Sequence, residues 1–232
     1  MQEPPRIFIV VDHSLVRQGL RHLLECDAGM LICGEAKNIH ESLPLIKKLA
    51  PDVVVVDISL SDGSGLDLIK RINAINSNVA ILVLSMHNDE VLYAERALRA
   101  GAMAYVNKNE APENIVQAVQ RILKGKIYLS ERMTEHLLHN NFNNHRHDID
   151  INDNDYDNDY DKSRQTIDNL SNREVEIFMQ VGEGYSTAQI AVNLNLSKKT
   201  IETHKAHIKQ KLGLDTANEL ARLAVQWTME KA

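Results

Sequence analysis

Four residues in the first half of the chain carry groups that could act together on a phosphoryl ligand: Asp12, Asp57, Ser85 and Lys108. Two carboxylates can hold a hard dication such as Mg2+. A carboxylate can also attack phosphorus and form an acyl phosphate. A lysine supplies positive charge for the phosphoryl oxygens, and a serine hydroxyl can donate to one of them. A different chemistry is written near the other end. Lys198, Lys199, Lys205, Lys209 and Lys211 fall within one short stretch, a pattern suited to phosphates of a nucleic-acid backbone or, taken alone, to a solvated helix face.

The elements that must position the first four groups are legible in the hydropathy pattern. Short apolar runs occur at Ile7–Val11, Leu31–Cys33, Val53–Val56, Ala80–Leu84 and Ala104–Val106, about 22–27 residues apart. Helical spacing fills the gaps, as in Val16, Leu20, Leu23 and Leu24, and again in Ile115, Val119, Ile122 and Leu123. Gly101 fits a helix stop and Pro112 a first helical turn. Near-continuous apolar strands alternating with helices predict an α/β doubly wound five-stranded parallel sheet. Ligands of such sheets bind beyond the carboxyl ends of the strands. Asp12 follows the first run, Asp57 ends the third, Ser85 follows the fourth and Lys108 follows the fifth. One strand-end aspartate could be an ordinary turn residue. Four compatible groups at four strand ends are more specific. No glycine-rich loop follows the first run, which argues against a dinucleotide site.

The net charge of −6 for 232 residues, taken alone, argues against nucleic acid as a partner, but its distribution removes the objection. Residues 140–161 hold Arg146 against seven aspartates, and the flanking blocks nearly cancel, at −2 and +2. This Asn/Asp-rich stretch has no hydrophobic periodicity and reads as a disordered linker spanning roughly 25 Å. Asp153, Asp155 and Asp157 have the spacing of a calcium loop without its glycine or its closing glutamate, and the His145/His147 pair carries no stronger metal signal. Cys26 and Cys33 read as reduced thiols. No apolar run reaches the roughly 18–20 residues of a membrane helix, and no signal-peptide pattern opens the chain, so a cytoplasmic location is expected.

In the third block, Ser171/Glu174 and Thr216/Glu219 have capping-box spacing. Four helices are expected at about 171–182, 187–194, 198–212 and 216–226. Ser197 is a good N-cap. On the helix from Lys198, Ile201, His204, Ile208 and Leu212 share an inward face. Lys199, Glu202, Thr203, Ala206 and Gln210 cluster opposite, with Lys209 at their edge. Such a helix can enter a major groove.

Residues 6–124, and VDHSLVRQGLRHLL above all, resemble the receiver domain of NarL/FixJ-type two-component response regulators. Residues 168–226 resemble the LuxR-type helix-turn-helix domain, through LSNREVEIF, GYSTAQIAVNLNLSKKTIETH and IKQKLGL. The resemblance implies a flavodoxin-like strand order followed by a small all-α four-helix domain. It implies boundaries at 1–126, at 127–167 for a linker with a short helix at about 130–139, and at 168–232. It makes Asp57 the phospho-acceptor, Asp12 and Asp57 the metal ligands, and Ser85 and Lys108 the phosphoryl contacts. Tyr105 falls at the aromatic switch position, although a packing aromatic is an equally simple reading. DNA contacts are expected from Lys198, Lys199, Thr200, Glu202, Thr203, Lys205, Ala206 and Lys209. His204 fits either a structural role or a phosphate contact. Trp227 is expected to pack, and Glu219, Leu220 and Leu223 are candidate dimer contacts.

Two departures from the family pattern stand out. Val11 replaces the first of two adjacent acids, so Mg2+ should be held more weakly. The loop Ile58-Ser59-Leu60-Ser61 lacks the usual proline at position 61. The expected function is a DNA-binding transcriptional regulator switched by phosphorylation of Asp57, with a histidine kinase, double-stranded DNA and a second copy of the chain as partners. The alternative is a phosphorylation-independent regulator whose degenerate receiver serves dimerisation or partner binding. No catalytic residue and no enzymatic turnover on a small substrate is expected, since no nucleophile–base pair appears.

Overall fold

In a computed structural model, residues 3–86, 90–110, 112–135, 137, 167 and 169–229 are described. The chain divides into two compact units, Met1–Asp148 and Ile149–Ala232. The acidic stretch 140–161, with its histidine pair and aspartate loop, lies outside the described residues. So do residues 136, 138 and 139 of the short helix expected at 130–139, whose residues 131–135 and 137 are helical.

The first unit alternates strand and helix: β1 Arg6–Val10, α1 Ser14–His22, β2 Leu31–Ala36, α2 Ile39–Leu49, β3 Val53–Asp57, α3 Gly65–Ile75, β4 Ala80–Ser85, α4 Glu90–Ala100, β5 Ala104–Asn107 and α5 Pro112–Ile122. The five strands pair in parallel in the order β2-β1-β3-β4-β5, the flavodoxin-like order. Alternate strand residues face opposite sides. Ile7, Ile9, Val53, Val55, Leu82, Leu84 and Val106 meet Leu20 of α1, Leu24 just after it, and Ile115, Val119 and Ile122 of α5 in one apolar layer. Helices α2, α3 and α4 cover the other side. Because both faces are buried, every residue of β3 and β4 is buried as well, which is why these strands read as continuous apolar runs. Cys33 donates to the carbonyl of Ile7 (3.3 Å), and burial pushes its thiol pKa up, as suits an unreactive thiol.

Two features escape periodicity. Helix α1 continues as a π-helical turn at Leu23–Asp27. After Asp57, Ser59–Leu60 and Gly63–Ser64 form a small antiparallel hairpin. Its Asp62 accepts from the amides of Ile39 (2.9 Å) and His40 (3.0 Å) at the start of α2. The loop following the site thus satisfies donors that open a distant helix.

The second unit holds α6 Asn172–Gly182, α7 Thr187–Asn193, α8 Lys198–Leu212 and α9 Ala217–Met229. The capping box at Ser171/Glu174 is formed, and a second joins Ser186 to Gln189 at α7. Ser197 caps α8 through the Thr200 amide at 3.1 Å, and Gly213, at φ +65°, ends it. Ile201 and Ile208 are fully buried. Each contributes about 1.5–3 kcal/mol relative to exposure. His204 and Leu212 are half-buried. Arg173 donates to Glu176 (2.6 Å), which has no exposed surface, and to the carbonyl of Leu194 (2.7 Å), pinning the α7–α8 turn to α6.

Candidate functional site

The first candidate site forms where the parallel strands end. Asp57, the last residue of β3, is 2 % exposed, and the Lys108 ammonium just beyond β5 donates to its Oδ2. The Ser59 amide lies 3.4 Å from Oδ1. Burial pushes the Asp57 carboxyl above the usual carboxylate range, with Asp12 adding to the rise and Lys108 opposing it. Asp12 stands two residues past the end of β1. Ser85 is the buried last residue of β4 rather than the residue after it. Tyr105 is buried within β5.

Two neighbours of Asp12 were not anticipated. His13 Nδ1 lies 2.6 Å from Asp12 Oδ1. One ligand atom each of Asp12, His13 and Asp57 lie within 4.8 Å of one another. Arg17 donates to the Val11 carbonyl (2.6 Å) and to Glu35 (3.2 Å), clamping the backbone that carries Asp12. Adjacency to Asp12 was the only sequence signal for His13, and nothing local marked Arg17. Val11 has no exposed surface and packs in the α1/α5 layer, so its side chain belongs to the core.

In the second unit, Lys198, Lys199, Glu202, Thr203 and Ala206 are exposed along α8, while Thr200, Lys205 and Lys209 are half-buried. The face is not uniformly free. Thr203 turns its hydroxyl back to the Lys199 carbonyl (3.0 Å), and Lys209 reaches the Asp215 carbonyl at 3.4 Å. Glu202 accepts from the Thr187 hydroxyl of α7 at 2.7 Å. Burial lowers the pKa of His204, which favours its neutral form and the structural reading. Trp227 is buried as expected. Leu220 is buried too, which removes it as a dimer contact. Glu219 instead caps α9, accepting from the amides of Asp215 (2.9 Å) and Thr216 (3.3 Å).

A doubly wound sheet with a lysine-paired aspartate in its carboxyl-end cleft, in one chain with a capped helix-turn-helix, defines a receiver-type regulator. The model of the response regulator receiver domain matches residues 7–120, and that of the bacterial regulatory proteins of the luxR family matches residues 168–224. The oxygen regulatory protein NreC of Staphylococcus haemolyticus (strain JCSC1435) is 34% identical over 222 residues, covering 95% of this chain and 97% of its own. A LuxR-family two-component response regulator from Aurantimonas sp. SI85-9A1 shares 31% identity, with a TM-score of 0.56 over 60% of this chain and 99% of that one. RcsB from Salmonella enterica serovar Typhimurium, bound to a promoter in the presence of a phosphomimetic, shares 25% identity, with a TM-score of 0.57 over 96% and 98%. The chain belongs to the NarL/FixJ-type two-component response regulators. It joins a receiver domain to a LuxR-type DNA-binding domain and acts in transcription regulation.

Proposed function

We propose that Asp57 accepts a phosphoryl group from a histidine kinase and that its phosphorylation controls DNA binding by the domain at 168–232. An Asp57 carboxylate oxygen bonds to phosphorus as the bond to the donor's imidazole breaks. Asp57 is thus consumed by the reaction and performs no turnover on a small molecule. Lys108 balances charge on the phosphoryl oxygens, and the Ser85 hydroxyl donates to one of them. Tyr105 reports the change by repacking beside β5. The observation that carries this reading is the buried Asp57 with Lys108 on one side and Asp12 close by.

The residues present fit Mg2+. Asp12 Oδ1 is buried, its close polar neighbour is His13 Nδ1 at 2.6 Å, and with Asp57 it offers the oxygen donors that a hard dication prefers. Bound there, the ion would draw charge from the phosphoryl oxygens. Receivers generally bind Mg2+ in such an acidic pocket. The cleft here has lost one acid to Val11, and a weakened affinity follows.

DNA binding is assigned to α8, with Lys198, Lys199, Lys205 and Lys209 for phosphates and Glu202, Thr203 and Ala206, beside Thr200, toward base edges. A homodimer on DNA and a cytoplasmic location complete the reading. No helix among the described residues is long and apolar enough to cross a membrane. The test is incubation with acetyl phosphate and Mg2+ followed by intact-mass measurement. One phosphoryl addition is expected in the wild type and none in Asp57→Asn. An unmodified wild type, or a modified variant, would overturn it.

A second reading has one observation in its favour. Val11 is committed to the core, so the cleft holds two carboxylates and the receiver could serve dimerisation without phosphate. Wild-type protein that binds DNA as a dimer and never takes up phosphate would establish it.

A further inference from the structure

Thr187 opens α7 and is not part of the recognition helix, yet it holds two side chains of α8. Its hydroxyl donates to Glu202 Oε1 at 2.7 Å and accepts from Lys205 Nζ at 2.8 Å. A hydroxyl has one proton and two lone pairs, so both bonds can form at once. The positive and negative side chains on either side of it are held in place without pairing directly.

We propose that Thr187 is a positioning residue for sequence recognition, fixing Glu202 so that its second carboxylate oxygen reads the amino group of a cytosine. This rests on the assignment of α8 to the major groove. Three observations support it. Glu202 is an acid on a face otherwise supplied with lysines, where an unrestrained carboxylate would be pushed off by phosphates. It is exposed, so the Thr187 bond is not needed to satisfy a buried group. That bond engages Oε1 and leaves Oε2 as an acceptor, and in the major groove cytosine presents an amino donor. Holding the side chain before DNA arrives removes rotamer entropy that would otherwise be lost on binding. Lys205, held by the same hydroxyl, places its ammonium on the α7 side of α8, where it balances Glu202 without a direct ion pair.

The experiment is selection of binding sites from a randomised duplex library by the full chain, followed by affinity and salt dependence on the selected site and its single-base variants. Thr187→Val removes the hydroxyl at nearly constant shape, and Thr187→Ser keeps it. Wild type should prefer cytosine at one position in each half-site. Thr187→Val should lose about tenfold of that preference, with other positions and the salt slope unchanged. Thr187→Ser should restore it, and Glu202→Gln should change the preferred base at the same position. A merely structural role for Thr187 would weaken binding to all sites alike. Uniform weakening, or an unchanged preference in both Thr187→Val and Glu202→Gln, overturns the inference while leaving DNA binding intact. A wild type that selects no site overturns the DNA assignment and this inference with it. Should Thr187→Val fail to fold, Glu202→Gln and Thr187→Ser still decide the matter.

Discussion

Lys108 and Asp57 lie 51 residues apart in sequence and meet at the carboxyl ends of two strands that are not neighbours, the ammonium donating to the buried carboxylate. The pair is the electrostatic centre of the cleft, and it does not fully offset its own burial. The Asp57 carboxyl remains above the ordinary carboxylate range because desolvation and Asp12 outweigh the lysine.

A raised carboxyl pKa in the folded state means that ionised Asp57 opposes folding. Its contribution is most favourable below the ordinary carboxyl pKa and is lost as pH rises through the folded value. Asp57→Asn, which mimics the neutral acid in shape, should therefore raise the melting temperature of the receiver at pH 7. The gain should shrink toward pH 4. Calorimetry across this range checks it, and a lower melting temperature at pH 7 would contradict the electrostatics.

Gly65, at the start of α3, lies against the site backbone. A Cβ there would fall on the Asp57 carbonyl oxygen, within 2.9 Å of its carbonyl carbon and 3.0 Å of the Ile58 Cα. Backbone atoms cannot give way as a flexible side chain can. Gly65→Ala should cost about 1–3 kcal/mol in denaturant unfolding and should slow phosphate uptake by displacing Asp57. Wild-type stability in this variant would show that α3 shifts freely.

Glu174 illustrates the opposite sign. Burial pushes its pKa up, but the Lys211 ammonium (2.6 Å) and the Ser171 amide (2.7 Å) outweigh it and hold the carboxyl below its ordinary value. The resulting stability is present above the ordinary glutamate pKa and lost as pH falls through the folded value. Glu174→Gln keeps the capping acceptor but loses the ion pair with Lys211, and should destabilise the helix-turn-helix unit by about 1 kcal/mol at pH 7. The difference from wild type should close near pH 3. A pH-independent difference would place the effect in packing.

Lys198 and Lys199 are exposed at the start of α8. If each neutralises one phosphate, Lys198→Ala and Lys199→Ala should each weaken binding to all sequences. Each should also reduce the slope of log K against log salt by about one. Fluorescence anisotropy between low and moderate salt reads both quantities. An unchanged slope would assign that lysine to solvent.

Much of this protein was determined by local sequence. Continuous apolar runs such as Val53–Val56 require a strand buried on both faces, because only a covered parallel sheet hides every side chain. Ser171 with Glu174, and Ser197 before a lysine-rich helix, set helix starts through backbone donors a few residues away. Strand-end placement then brought Asp12, Asp57, Ser85 and Lys108 toward one cleft. Only the tertiary structure decided how these groups meet. The Lys108–Asp57 contact depends on the order of the strands in the sheet, and so does the rise in the Asp57 pKa. The Asp62 cap on α2, the Arg17 clamp beside Asp12 and the Thr187 bridge between Glu202 and Lys205 each join residues remote in sequence. Val11 reads as a missing ligand in sequence and proves to be a core residue in the fold. Hydropathy periodicity reports which face of an element is buried, but a hydrogen bond of 2.7 Å between two helices requires their packing, and no local pattern encodes that distance.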